Sequence, residues 1–155
     1  MYRTPNCRGA LNERRMNRDS EEHLQSLSLR GVHGDAQVAG LSGGQRQAVA
    51  VAKAVAAQPR LLILDEPTAA LGIREVETVL DVIRSVRSRG VGVILITHRM
   101  QDLFEVCDRL VIMYDGRNVA ELETAKTDLT EIVRFMDGEL DEAGDAVSRS
   151  GKEKR

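Results

Sequence analysis

At 155 residues and 42% hydrophobic content, the chain is long enough for one domain with a sizeable core. Its formal net charge of -2 gives no electrostatic case for binding nucleic acid or an anionic membrane surface. Tyr2, Phe104, Tyr114 and Phe135 are its aromatic residues, which argues against a base-stacking platform and leaves Val, Leu, Ile, Ala and Met to build the core.

Cys7 and Cys107 stand far apart and form neither a metal-ligand spacing nor a disulfide framework, the usage expected of a reducing, cytosolic compartment. No run approaches the about 18 to 20 apolar residues that span a bilayer. Met1-Tyr2-Arg3-Thr4-Pro5-Asn6 carries no apolar stretch of the kind a secretory leader needs.

In chain order, residues 1–18 read as an irregular N-terminal segment, polar and basic, whose Arg3, Arg8, Arg14 and Arg15 show no period. Asp19 followed by Glu22 resembles a capping box and predicts a short amphipathic helix from Asp19 to about Leu29, with Leu24 and Leu27 as its stripe. Gly31 to Asp35 is a loop, and His33 is a solvent-facing loop histidine. Ser42 and Gln45 form a second capping box, opening a helix that runs through Arg46, Val49, Val51, Ala52, Val55 and Ala56. Gln58, preceding Pro59, is pushed out of helical geometry and ends it.

Leu61 to Leu64 is apolar without alternation, which predicts a central parallel strand buried on both faces. Pro67 to Gly72 turns the chain into a helix over Ile73–Arg89, whose Val76, Val79, Leu80, Ile83 and Val86 lie on one face. Glu75 and Glu77 near its start and Arg84, Arg87 and Arg89 near its end complement the helix dipole, and Gly90 stops it. Val91–Ile96 predicts a second buried strand and Met100–Cys107 a short helix that buries the Cys107 thiol. Leu110–Tyr114 pairs through an Asp115-Gly116 hairpin turn with Asn118–Leu122. Thr127 or Asp128 caps a last helix, and residues 139–155 read as a disordered tail. Strands alternating with helices predict an α/β fold with a mostly parallel sheet flanked by helices.

Three stretches carry chemistry. Ser42-Gly43-Gly44-Gln45 places a hydroxyl and two glycines at a helix N-terminus, where unpaired N–H groups and the helix dipole favour a phosphate, although a plain glycine-containing cap has the same pattern. Asp65 and Glu66 stand at the C-terminal end of a buried strand, where ligands of open α/β sheets sit. Asp65 suits association with Mg²⁺ and Glu66 suits orienting a water, while an acid pair capping a helix is the plainer alternative. His98 follows the second strand directly and is expected at the same sheet edge.

The combination resembles the ATP-binding-cassette (ABC) ATPases over roughly Asp19 to Gly138. Leu41-Ser42-Gly43-Gly44-Gln45 looks like their signature motif, Leu62-Ile63-Leu64-Asp65-Glu66-Pro67-Thr68 like their Walker B strand with its catalytic glutamate, and His98 like their switch histidine. The resemblance implies a partial P-loop NTPase fold. Residues 19–58 would be the helical subdomain and signature helix, and 59–138 the core from Walker B onward. It implies ATP and Mg²⁺ as ligands. Asp65 would organise the metal, Glu66 would activate the attacking water and His98 would contact the γ-phosphate. Ser42, Gly43, Gly44 and Gln45 would serve ATP held by a partner cassette. Ala70-Leu71-Gly72 matches the D-loop, where the family often has Ala-Leu-Asp, so Gly72 departs from the pattern. Ala69 to Gly72 and the ending Glu131 to Gly138 are similar to ATPases of monosaccharide importers of the ribose, xylose and galactose group.

The family's P-loop, G-x-x-x-x-G-K-[ST], cradles the phosphates. Among these residues the single Gly-Lys pair, Gly151-Lys152, has Ala146 at the first glycine position and Glu153 after it, so the pattern is not met. No glutamine fits the family's Q-loop, since Gln25 lies in a helix pattern and Gln37 is too close to Leu41. The expectation is therefore the C-terminal half of a cassette. It would work as the ATP-hydrolysing subunit of a sugar importer, with a transmembrane subunit and a second nucleotide-binding subunit as partners. It would be cytoplasmic, peripheral on the inner face of the plasma membrane, and would not bind nucleic acid. Alternatives are a non-catalytic half that lends its signature motif to a partner ATPase, and a soluble ABC ATPase of DNA repair.

Overall fold

A computed structural model describes residues 6–7, 10–29 and 31–137. The tail expected over 139–155 and the first five residues lie outside the described part. The chain divides into two compact units, Met1–His98 and Arg99–Arg155.

In the first unit, β1 (Asn6–Cys7) and β2 (Ala10–Leu11) form a small antiparallel ladder. Helix α1 covers Glu13–Ser26, starting six residues before the Asp19 expected from sequence. Asn12 caps it by accepting the Arg15 N–H at 3.0 Å, so the segment expected to be irregular up to residue 18 is partly helical. The Asp19–Glu22 spacing that suggested a cap falls mid-helix. Leu24, Leu27 and Leu29 are buried, and His23 Nε2 lies 2.9 Å from the Ala52 carbonyl, joining α1 to the next helix.

Helix α2 (Gly43–Val55) buries Ala48, Val51, Ala52 and Val55, the i, i+3, i+4, i+7 stripe of an amphipathic helix. It ends where Gln58 turns into the left-handed region at φ 53°, just before Pro59. Strand β3 (Leu61–Asp65), helix α3 (Ile73–Ser88) and strand β4 (Gly92–Ile96) then make one β-α-β crossover with parallel strands. Val76, Val79, Leu80, Val82, Ile83 and Val86 of α3 are buried; burying such a side chain contributes about 1.5–3 kcal/mol.

The two strands are not buried on both faces as the unbroken apolar runs suggested. Leu62 and Leu64 point into the unit, whereas Ile63 is 59% and Ile94 46% exposed, with Leu61 and Ile96 beside them. Ile63 pairs directly with Ile94, so the open face is a continuous apolar strip. An apolar run establishes that a strand can be buried, not which of its faces the chain covers.

The second unit contains α4 (Met100–Val106), β5 (Arg109–Tyr114), β6 (Arg117–Glu123) and α5 (Leu129–Met136). Strands β5 and β6 pair antiparallel across Asp115 and Gly116, both at positive φ, as a two-residue hairpin turn requires. Leu110, Ile112, Ala120, Ile132 and Phe135 form the core, and Cys107 is half-buried against it rather than fully buried. Asp128 rather than Thr127 caps α5, accepting the Glu131 N–H at 2.9 Å. The fold is α/β as read from sequence, with parallel pairing confined among the described residues to β3 and β4.

Candidate functional site

The register of β3 and β4 builds the first half of the site. Asp65 stands opposite Ile96, so the residues that follow the two strands, Glu66 on one side and Thr97 and His98 on the other, emerge side by side. The Glu66 N–H extends the ladder by one bond, donating to the Ile96 carbonyl at 2.8 Å. Glu66 itself sits at φ 46°, a left-handed conformation that costs a residue with a Cβ about 1–2 kcal/mol. Three hydrogen bonds hold it there. Its Oε1 accepts the His98 backbone N–H at 3.1 Å and faces His98 Nδ1 at 2.7 Å, while Thr97 Oγ1 donates to Oε2 at 3.3 Å.

Those donors hold the Glu66 carboxyl below the usual carboxylate range. The His98 side-chain bond contributes most and partial desolvation opposes it. An ionised carboxylate can only accept, so the bond to Nδ1 requires the hydrogen on that nitrogen and leaves Nε2 as the ring atom available to a ligand. The imidazole is 73% exposed. Glu66 keeps lone pairs for a water, which it can orient by accepting one of its hydrogens. Asp65, at the strand end, is exposed. Among the described residues no group of three or more His, Cys, Asp or Glu is arranged to hold a metal ion. A lone carboxylate fits Mg²⁺ that arrives with phosphates, because Mg²⁺ keeps most of its waters and takes one or two carboxylates plus substrate oxygens.

The second half is the start of α2. Ser42 caps it in a reciprocal box: the Gln45 N–H donates to Ser42 Oγ at 3.3 Å, and the Ser42 N–H donates to Gln45 Oε1 at 3.0 Å. From sequence, the Gly43-Gly44 pair belongs to a helix start that favours a phosphate. The structure supplies a different reason for Gly44: a Cβ there would lie 2.6 Å from the Glu75 carbonyl oxygen and 2.8 Å from its Cα. Helix α3 passes so close to α2 at this point that only glycine fits.

Of the residues expected from sequence, Glu66 and His98 are in direct contact, with Asp65 on the adjoining strand end. The bonds of Ser42, Gly44 and Gln45 run to one another and to Glu75, not to that cluster. Thr97 and Glu75 were not picked out as site residues. Thr97 could have been noticed as the hydroxyl between a strand end and His98, while the contact of Glu75 with α2 crosses 31 residues and leaves no local pattern.

Residues 3–69 match the family model described as ABC transporter. The chain is 41% identical over 136 residues to the ribose import ATP-binding protein RbsA of Chromobacterium violaceum, covering 88% of this chain and 27% of that protein. It is 39% identical over 126 residues to the xylose/arabinose import ATP-binding protein XylG of Sulfolobus acidocaldarius, covering 81% of this chain and 50% of that protein. The chain thus spans about a quarter to a half of the length of the curated relatives it matches. Among solved structures, a dimeric bacterial ABC transporter cassette aligns with a TM-score of 0.58 at 27% identity, over 76% of this chain and 51% of the other. A nucleotide-free ATP-binding cassette from an ABC transporter aligns with a TM-score of 0.59 at 25% identity, over 72% of this chain and 44% of that cassette.

Proposed function

Because this chain belongs to the ATP-binding-cassette ATPases, we propose that it forms part of the ATP-hydrolysing subunit of a sugar importer. The observation that carries the reading is the 2.7 Å contact between Glu66 and His98 at the paired ends of two parallel strands, directly after Asp65. In this reading Glu66 accepts a hydrogen from the attacking water and fixes its direction toward the terminal phosphate. Glu66 orients the His98 ring through Nδ1. A γ-phosphate oxygen, itself an acceptor, would take a hydrogen from Nε2, which with Nδ1–H on Glu66 requires the doubly protonated imidazolium. Asp65 would hold Mg²⁺, which supplies charge neutralisation on the phosphates when bound. Ser42, Gly43, Gly44 and Gln45 meet ATP bound on a second cassette.

Residues 1–155 contain no G-x-x-x-x-G-K-[ST] pattern, so the phosphate cradle comes from sequence other than these residues. A pentose is the favoured cargo because the relatives are named for ribose and for xylose/arabinose import. Because the relatives are named as import ATP-binding proteins, a membrane-spanning partner subunit would carry the sugar path, with this chain on its cytoplasmic side; no helix among the described residues is long and apolar enough to cross a membrane. The test is ATP turnover by the chain assembled with a P-loop-bearing cassette polypeptide and a transmembrane subunit. Glu66→Gln should lower kcat by about 10²–10⁴-fold, and turnover that survives this substitution refutes the assignment.

A further inference from the structure

Glu75 touches two helix starts at once. Its Oε2 accepts the Gly72 N–H at 3.1 Å, at the start of α3, and its Oε1 accepts the Gly44 N–H at 3.4 Å, at the start of α2. Gly72 has no side chain with which to cap α3. Glu75 therefore provides one half of a capping box, satisfying the N-cap amide while the other half is missing. Its second oxygen serves a helix that is remote in sequence. The same residue's backbone is the surface against which Gly44 packs without room for a Cβ. The carboxyl is held below the usual carboxylate range, with the Gly72 amide as the largest cause and the Gly44 amide next, so both bonds favour its ionised form.

We propose that Glu75 is a positioning residue, whose carboxylate ties the Ser42–Gly44 turn to the Gly72 turn so that the two move as one body. The role rests on the reading of this chain as part of an ABC ATPase, in which the Ser42–Gly44 turn lies beside a phosphate held on a second cassette, while the Ser42 and Gly44 amides themselves donate to Gln45 and Glu75. Glu75 acts on that turn through the Gly44 amide. A displacement of positioned groups by about 1 Å can cost on the order of 10²-fold in rate, and the bridge restrains such a displacement from the α3 side. It also gives the turn at Gly72 a carboxylate where the residue itself has none.

Two measurements test the inference. Glu75→Gln keeps the shape of the side chain but replaces one acceptor oxygen by an NH₂ group, so it cannot accept from both amides. In the 155-residue chain carrying Glu75→Ala, which removes both acceptor oxygens, amide hydrogen exchange should quicken by about tenfold at Gly44 and at Gly72 together; a change confined to Gly72, or none, overturns the bridge. In the assembled ATPase, Glu75→Gln should lower kcat by about tenfold while KM for ATP moves by less than about twofold, because the nucleotide is gripped elsewhere. Adding Gly72→Asp gives α3 a cap of its own, since a Cβ on Gly72 has open space apart from Glu75 Oε2 at 3.7 Å. The double variant should regain the melting temperature and not kcat; recovery of both reduces Glu75 to a cap and refutes the positioning role. Glu66→Gln in the same assembly separates the two readings. If it abolishes turnover while Glu75→Gln leaves kcat unchanged, the positioning role fails. If it leaves turnover intact, the ATPase reading fails, and hydrogen exchange still decides whether the bridge exists.

Discussion

His98 Nδ1 lies 2.7 Å from Glu66 Oε1, and the same oxygen accepts the His98 backbone N–H at 3.1 Å. One residue thus donates twice to one carboxylate oxygen, and the imidazole bond is the largest influence lowering the Glu66 pKa. His98→Ala removes that bond and leaves the backbone N–H and Thr97 Oγ1 in place. Glu66 should then titrate at higher pH, and the acidic limb of ATP turnover should move up with it. A carboxylate whose folded pKa is depressed adds stability that is fully present above its unfolded value and is lost as pH falls through the folded value. The variant should therefore lose this contribution at a higher pH than the parent chain does. Carboxyl NMR titration of Glu66 in both chains is the measurement, and an unchanged midpoint refutes the account.

Gly44→Ala should destabilise the chain by about 1–3 kcal/mol, the usual cost of forcing a methyl group into a filled space. The added Cβ would meet the Glu75 backbone at 2.6–2.8 Å, and neither helix start can give way without losing hydrogen bonds. At Gly43 the nearest atom is Leu71 Cδ2 at 3.0 Å, the free end of a side chain that can move, with Glu75 Oε1 next at 3.2 Å and no backbone atom among them. Gly43→Ala should stay within about 1 kcal/mol of the parent, the helix-propensity gain of alanine offsetting part of the crowding. Urea unfolding of both variants checks the ordering, and equal losses contradict it.

How far the sequence could be read differs between the two halves of the site. The Glu66–His98 neighbourhood was legible because two apolar runs around one helical pattern form a crossover, and parallel pairing brings their C-terminal ends together. Any chemistry-bearing residue just after each run then becomes a neighbour. The Glu75–Gly44 contact was not legible. It joins residues 31 apart, and its local signature is broken because Gly72 stands where a Ser or Thr would complete a capping box. The same weakness misplaced the start of α1: Asp19 and Glu22 offered the better-known spacing, while Asn12 caps the helix without a Glu or Gln three residues on. Coverage of a strand's faces is decided by the helices that pack on it, which is why Ile63 and Ile94 are exposed in runs that read as fully buried.

The exposed strip of Leu61, Ile63, Ile94 and Ile96 should make the 155-residue chain self-associate as its concentration rises. Ile63→Thr keeps a β-branched residue in the strand and removes part of the apolar surface. Because Ile63 is largely exposed, the change should alter folding stability by no more than about 0.5 kcal/mol. Sedimentation velocity at several concentrations should show weaker association in the variant. Equal association in the two chains places the cause elsewhere on the surface.

Ser42 combines two roles that one pair of substitutions can separate. Its Oγ accepts the Gln45 N–H at 3.3 Å, so Ser42→Ala should cost about 0.5–2 kcal/mol of stability through loss of the N-cap. Ser42→Arg loses the same cap and also sets a long cationic side chain at the helix start that a partner's nucleotide would have to approach. Both variants should therefore lose similar stability in thermal melts of the chain. In an assembly whose partner cassette carries the P-loop, Ser42→Ala should leave measurable ATP turnover and Ser42→Arg should abolish it. If the two reduce turnover alike, the effect is that of the cap alone, and the start of α2 does not face a nucleotide on the partner.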